Sequence, residues 1–289
     1  MIIFLADGRL GNQIFQYVFL KTIQNNNEKI IVSGFEELQE VFETKDIVNF
    51  NKKNKWLRRF LFRIGKPILT FLSDKRVISS IAGKNEKILN GCSRELATYN
   101  STLGTVKKII FVRHGFFQSE EFFNENIANQ LVFKEKYMRD ADQLLKSIPR
   151  NCHKIFVHIR RGDYKSHTVC GKSTLLPLNY YKEKIKWFMA NRKDCFFIFL
   201  SDEPESIEAE FEYIKNKLVS LNLHSGTDLA IMTKCNSAIL SPSSFGWWGS
   251  YLMKNKDVVF APEYWLGFNS RIEYPDKPMA SFFRKVTVA

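Results

Sequence analysis

The sequence predicts an α/β protein built on doubly wound parallel sheets. Two observations carry that expectation. Short apolar runs rich in β-formers alternate with helical stretches through the second half, as in Lys154 to Ile159, then 179–191, then 196–201. Such alternation implies parallel strands covered by helices on both faces. The strand runs also end in clusters of Gly, Arg or Ser, the groups that an open parallel sheet presents at its ligand-binding carboxyl edge. The 289 residues suit two domains, each able to bury its own core.

The first half opens with an apolar strand, Met1 to Ala6, a helix, and a second strand at Ile30 to Val32. A basic segment follows, then a strand at Ile109 to Val112 and a largely helical stretch from Phe122 to Ser147. Ile148 to Cys152 reads as a linker, which divides the chain into domains 1–150 and 151–289. After strand 154–159, Pro177 precedes a helix over 179–191, and strand 196–201 precedes a helix over 204–217 opened by Pro204. A helix near 228–235, strands near 238–241 and 257–261, and a helix near 244–254 complete the pattern. The tail after Pro262 is free to stay here or return to the first domain.

Three strand ends carry candidate chemistry. His158-Ile159-Arg160-Arg161-Gly162-Asp163-Tyr164 leaves strand 154–159 with two guanidiniums whose forked donors match phosphate oxygens. Ser241-Pro242-Ser243-Ser244-Phe245 follows a strand and opens a helix, so hydroxyls, backbone N–H groups and the helix dipole favour an anion. Plain N-capping explains those serines equally well. Trp247 and Trp248 read as core. Gly8-Arg9-Leu10-Gly11-Asn12-Gln13 follows the first strand, without a dinucleotide or P-loop spacing.

In combination these motifs resemble the bacterial α-1,2-fucosyltransferases of glycosyltransferase family eleven. The resemblance rests on Gly8 to Tyr17, His158 to Tyr164 and Asp228 to Leu252, with Tyr180-Tyr181 and Phe260 to Trp265 in support. It implies two Rossmann-like domains facing across a cleft, the GT-B fold, with the acceptor on the first domain and the donor on the second. It also implies a GDP-fucose donor, an inverting transfer to the 2-hydroxyl of a β-galactoside, and no cofactor or metal. By position, His158 and Asp228 would hold the guanine. Arg160 and Arg161 would hold the diphosphate, with Ser243, Ser244 and Phe245 beside it, and Gly11, Asn12 and Gln13 would face the cleft. The sequence departs from the family at two places: Pro242 stands where an asparagine is usual, and Gly246 where a serine is usual. Donor recognition is where those departures fall.

Without a metal, the arginines and helix N-termini must stabilise charge growing on the departing diphosphate. Asp163 and Asp7 both follow strand ends and are candidate bases for the acceptor hydroxyl, while Asp163 could instead orient the arginines. Ser201-Asp202-Glu203 could border the site or simply cap the helix at Pro204. Asp140 and Asp142 have a metal-pair spacing but sit inside a helix, on different faces.

The net charge is +13, and nine of the basic residues lie between Lys52 and Arg76 against one acid. There Leu57, Phe60, Leu61 and Ile64 share a helical face beside Trp56, with Arg58, Arg59, Arg63 and Lys66 opposite, and Pro67 is expected to end or kink the helix. The pattern suits an anionic membrane surface, a solvated basic face, or a nucleic-acid patch, of which the first is the partner expected. Met1 to Ala6 is too short for a secretory signal, and no apolar run is long enough to span a bilayer. The five cysteines, at 92, 152, 170, 195 and 235, are scattered, which argues against a disulfide framework and against zinc. The location expected is cytoplasmic, peripheral at the inner face of the membrane, with a nucleotide-sugar donor and an oligosaccharide or lipid-linked glycan acceptor. The rivals are a same-fold transferase using another nucleotide sugar and a non-catalytic membrane-surface or glycan-binding protein.

Overall fold

The computed structural model describes residues 1–44, 47–50, 54–88, 91–220 and 223–288. The chain forms two compact α/β units, one of residues 1–88 and 93–132 and one of 89–92 and 133–289.

In the first unit the elements are β1 (Ile2–Leu5), α1 (Leu10–Ile23), β2 (Ile30–Ser33), α2 (Glu36–Val41), β3 (Ile47–Asn49), α3 (Lys55–Phe60), α4 (Lys66–Asp74), β4 (Ile78–Lys87), β5 (Ser93–Thr102), β6 (Val106–Val112) and α5 (Glu125–Ala128). Among the described residues the sheet has the order β3-β2-β1-β6-β4-β5, parallel except for β5, which runs antiparallel to β4. Ile2, Phe4 and Leu5 of β1 are buried, as a strand covered on both faces requires. Phe19 of α1 stacks on Phe117 with centroids 3.9 Å apart.

The second unit contains α6 (Glu135–Leu145), β7 (His153–Ile159), β8 (Thr168–Val169), β9 (Lys172–Ser173), α7 (Leu178–Asn191), β10 (Cys195–Ser201), α8 (Pro204–Glu210), β11 (Lys217–Val219), α9 (Ser225–Thr233), β12 (Ser237–Leu240), α10 (Ser244–Tyr251), β13 (Val259–Pro262) and β14 (Phe283–Val286). Its main sheet has the order β11-β10-β7-β12-β13-β14, all parallel. Numbered within the unit, that is the 3-2-1-4-5-6 order of a Rossmann fold. Ile155, Val157, Phe197 and Phe199 are buried against Tyr181, Ile185 and Phe188 of α7. Each such side chain contributes about 1.5–3 kcal/mol by burial. Trp247 and Trp248 are core: Trp247 stacks on Tyr251 at 4.9 Å and donates its Nε1–H to the Pro278 carbonyl at 2.8 Å.

Several expectations are corrected. The units divide after Val132 rather than at 150, because α6 packs on α9. Asp142 pairs with Lys234 at 2.7 Å, and the Tyr137 ring stacks on His224 at 4.8 Å. The helical stretch 122–147 is broken between α5 and α6, and helix 204–217 stops at Glu210 so that Lys217–Val219 can join the sheet edge. The tail stays in the second unit, where β14 pairs with β13. Cys92 and Cys170 form a disulfide with Cα atoms 5.2 Å apart, a pairing that their sequence separation of 78 conceals. Pro67 does not end its helix. A single π turn, Leu61–Gly65, joins α3 to α4, and Pro67 takes an N-terminal position of α4. Lys52 and Lys53 of the basic segment lie outside the described residues.

Candidate active site

Strands β10, β7 and β12 are neighbours whose carboxyl ends lie in register, with Ser201 opposite Ile159 and Leu240 opposite His158. Three segments therefore leave the sheet together: Asp202-Glu203, Arg160 to Asp163, and Ser241 to Ser244. The order of strands reverses between β7 and β12, which is where an open parallel sheet binds its ligand.

The arginines are held by acids from two of these segments. Arg160 directs Nε to Asp163 Oδ1 at 2.9 Å and Nη1 to Asp202 Oδ2 at 3.1 Å. Burial pulls its pKa down, but Asp163 and Asp202 outweigh that and leave it raised, so the charge is secure. Arg161 donates its backbone N–H to Asp202 Oδ1 at 2.9 Å, and its Nε lies 3.5 Å from Glu203 Oε2. Glu203 also pairs with Lys165. Asp163 is thus an acid that orients Arg160, and its side chain is 64% exposed. Asp202 and Glu203, left open between site border and cap, are brought into the arginine cluster.

Ser241, part of the strand-end motif but given no role of its own there, ties β7 to β12. Its hydroxyl accepts the Arg160 N–H at 2.7 Å, donates to the His158 carbonyl at 3.0 Å and meets the Tyr181 hydroxyl at 2.6 Å. Tyr164 donates to the carbonyl of Pro242 at 2.8 Å, so the proline position still serves the site through its backbone. Ser243 caps α10 by accepting the Phe245 N–H at 3.3 Å. Ser244 is half-buried, and its hydroxyl has no partner among the described residues.

His158 lies beneath α10, with its ring 5.8 Å from that of Phe245. Burial first, and Arg160 second, lower its pKa to about 4, so the imidazole is neutral. Gly246 is what lets the helix sit there: a Cβ at 246 would lie 2.8 Å from His158 Nδ1. That nitrogen is buried without a partner among the described residues. Asp228 is in the first turn of α9 at the outer end of the same sheet edge, where its Oδ1 accepts the Ser220 hydroxyl at 2.6 Å. Burial raises its pKa to about 7.

In the first unit the Gly8–Gln13 loop leaves the carboxyl end of β1, where the order of that sheet also reverses, between β1 and β6. Gly8 has φ +84°, which glycine adopts freely. Gln13 is 2% exposed; it donates to the Gly8 carbonyl at 3.0 Å and accepts the Leu38 N–H at 2.9 Å. It closes the loop, and Gly11 is likewise buried. Asn12 is half-buried and accepts from Gln118 at 2.7 Å. Asp7 is exposed and accepts the Gly8 N–H at 2.7 Å. Among the described residues no group of three His, Cys, Asp or Glu side chains is placed to hold a metal ion.

Two Rossmann-like units, one with paired arginines at its reversal point, are the parts of a GT-B fold. The chain belongs to glycosyltransferase family 11, whose family model matches residues 1–274. It is 30% identical to the O-antigen biosynthesis glycosyltransferase WbnK of Escherichia coli, over 91% of this chain and 94% of that protein. It is 27% identical to an alpha-1,2-colitosyltransferase of Escherichia coli, over 89% of this chain and 90% of the other. With galactoside alpha-(1,2)-fucosyltransferase 1 of Rattus norvegicus it shares 27% identity, over 88% of this chain and 64% of that one. Among solved structures, POFUT1 in complex with GDP-fucose aligns with a TM-score of 0.53 at 12% identity, covering 89% of this chain and 97% of that one. Fucosyltransferase NodZ from Bradyrhizobium aligns at 0.51 and 11% identity, covering 87% and 92%. At these identities the likeness is one of fold.

Proposed function

We propose that this enzyme moves L-fucose from GDP-fucose to the 2-hydroxyl of a β-galactoside, with inversion and without a metal ion, in surface polysaccharide or O-antigen synthesis. The observation that carries the reading is the arginine pair, fixed by Asp202, Glu203 and Asp163 at the reversal point of the second sheet. The α-1,2-fucosyltransferase and O-antigen relatives support the sugar and the setting.

In this reading the bond between the fucose anomeric carbon and the β-phosphate oxygen breaks as the acceptor oxygen bonds to the opposite face of that carbon. Negative charge gathers on the departing diphosphate, and Arg160, Arg161, Ser244 and the N-terminus of α10 stabilise it. The hydroxyl proton goes to a base. Asp163 and Asp7 are the candidates; Asp163 is engaged with Arg160, and Asp7 accepts the Gly8 N–H. Asp228 accepts the guanine N–H groups, with His158 supporting the donor site from beneath Phe245. The acceptor is a glycan, free or carried on a lipid at the cytoplasmic face.

Calorimetry with GDP, UDP, ADP and CMP tests the donor, and GDP is expected to bind most tightly. Tighter UDP binding would remove GDP-fucose while leaving a glycosyltransferase. A second reading, a donor carrying a different deoxyhexose, is favoured by Gly246 and by the colitosyltransferase relative. A donor screen by mass spectrometry separates the two.

A further inference from the structure

The helical segment α3–π–α4 hides little of its apolar surface. Trp56 is 73% exposed, Phe60 42%, Ile64 45%, Ile68 52% and Phe71 59%. The expected face was different, because Leu57 and Leu61 are half-buried while Phe60 and Ile64 point outward. The π turn accounts for the alignment. Steps of four residues run about 40° past a full α-helical turn, so such a stripe should wind around the helix. One extra residue in a π turn sets the following side chains back by about 100° and returns Ile68 and Phe71 to the line of Trp56. The stripe continues beyond α4, where Val106 bonds to Val77 at 2.8 Å and Leu103 is 74% exposed.

The charges that the segment presents are mostly positive, with Arg58 paired to Glu36 at 3.7 Å. Arg59 and Arg63 lie on the exposed face with no acid in ion-pair range among the described residues. Lys66 and Lys75 sit over the Phe62 and Phe71 rings at 5.9 Å. The acid of the segment, Asp74, is taken by Arg113, and Ser73 bonds to the same arginine, fixing the C-terminal end to the first unit.

We propose that the outer face of α3, the π turn and α4 docks on an anionic lipid bilayer, with the stripe in the headgroup boundary and the arginines on lipid phosphates. An interfacial helix needs both elements, an apolar face and a cationic rim. A second copy of the chain would meet its own positive face, and Ile64 and Ile68, set between the aromatic rings, suit a hydrocarbon boundary better than a platform for stacked bases. The inference does not depend on the sugar transferred.

The experiment is sedimentation of the full chain with vesicles of phosphatidylcholine, alone or with phosphatidylglycerol, at several salt concentrations. Binding is expected to the anionic vesicles only and to weaken with salt. Arg59→Gln with Arg63→Gln should lower the partition coefficient about 25-fold, fivefold for each charge lost near such a surface. Trp56→Ser with Ile64→Ser and Phe71→Ser should abolish it at moderate salt, with transfer to a soluble acceptor unchanged. Lipid brominated in its chains should quench tryptophan fluorescence, and Trp56→Phe should remove the quench while keeping the binding, since Trp247, Trp248 and Trp265 are 2% exposed or less and Trp187, on α7, is half-buried beneath Arg192 and Arg284. Failure of the wild type to bind anionic vesicles at low salt would overturn the proposal. So would binding without quenching, or a self-association or RNA binding that the stripe variants abolish while vesicle binding is absent.

Discussion

The carboxyl edge of the second sheet and the outer face of α3–α4 both display arginines, and they differ in what holds them. Arg160 and Arg161 are 19% and 20% exposed and meet Asp163, Asp202 and Glu203. Arg59 and Arg63 stand in solvent among exposed aromatic and aliphatic side chains. A guanidinium fixed on both sides has little orientational freedom left to lose, so it can meet developing charge without reorganising. A free one is suited to a surface of many equivalent phosphates, where position matters little and charge matters additively. Preorganisation, rather than charge, distinguishes the proposed reacting site from the proposed docking face.

The comparison is broken most severely at the fixed pair. Arg160→Ala and Arg161→Ala are each expected to reduce kcat by on the order of 10²-fold or more, the scale of losing one preorganised donor. Lysine should rescue poorly, because it cannot fork. Near-normal turnover in both alanine variants would make the pair merely structural.

Asp202→Asn comes next. It weakens one hydrogen bond to each arginine, and bonds to charged groups are worth about 1.5–3 kcal/mol, so kcat should fall about tenfold or more with the fold intact by thermal melt. Donor affinity should then depend on pH through Asp228. Its pKa is raised to about 7 by burial, and in the proposed donor site the ionised carboxylate is the form that can accept two guanine N–H groups at once. Protonation therefore opposes binding below that value, and the Kd for GDP should rise about tenfold from pH 6.5 to pH 5.5 and flatten above pH 8. Asp228→Asn should bind weakly at every pH, and an unchanged slope in that variant would assign the titration elsewhere. Smallest of all is Asp163→Asn. An exposed pair with Arg160 contributes about 0–1 kcal/mol, so less than about fivefold is expected in kcat. A general base would cost about 10²–10⁴-fold, so a loss of that size would return the base to Asp163.

What was legible in the sequence follows from where burial writes a pattern. The runs Lys154 to Ile159 and 196–201 are nearly continuous apolar strands because helices cover both faces, and they stand where expected as β7 and β10. The strand β5, Ser93–Thr102, leaves no such trace: it is an edge strand with a largely exposed, polar sequence. Lys217–Val219 was hidden in the continuation of a helical pattern, since three half-buried residues carry no period. Arg160 and Arg161 were readable from their motif, but their acids were not assignable. Asp202 lies 41 residues from Arg161 and meets it only because β10 pairs with β7. Gln13 was readable as a polar residue near a strand end, and only the fold shows both ends of its amide spent on Gly8 and Leu38. The exposed stripe of α3–α4 was half visible, because a uniform 3.6-residue period cannot anticipate the π turn at Leu61–Gly65.

The most direct test of the central claim is a transfer assay with GDP-fucose and a simple β-galactoside in excess EDTA, with the product linkage read by nuclear magnetic resonance. An α-1,2-linked fucosyl galactoside, formed at an undiminished rate with EDTA and lost in Arg161→Ala, is the result expected. Transfer from a different nucleotide sugar alone, or activity that EDTA removes and manganese restores, would contradict it.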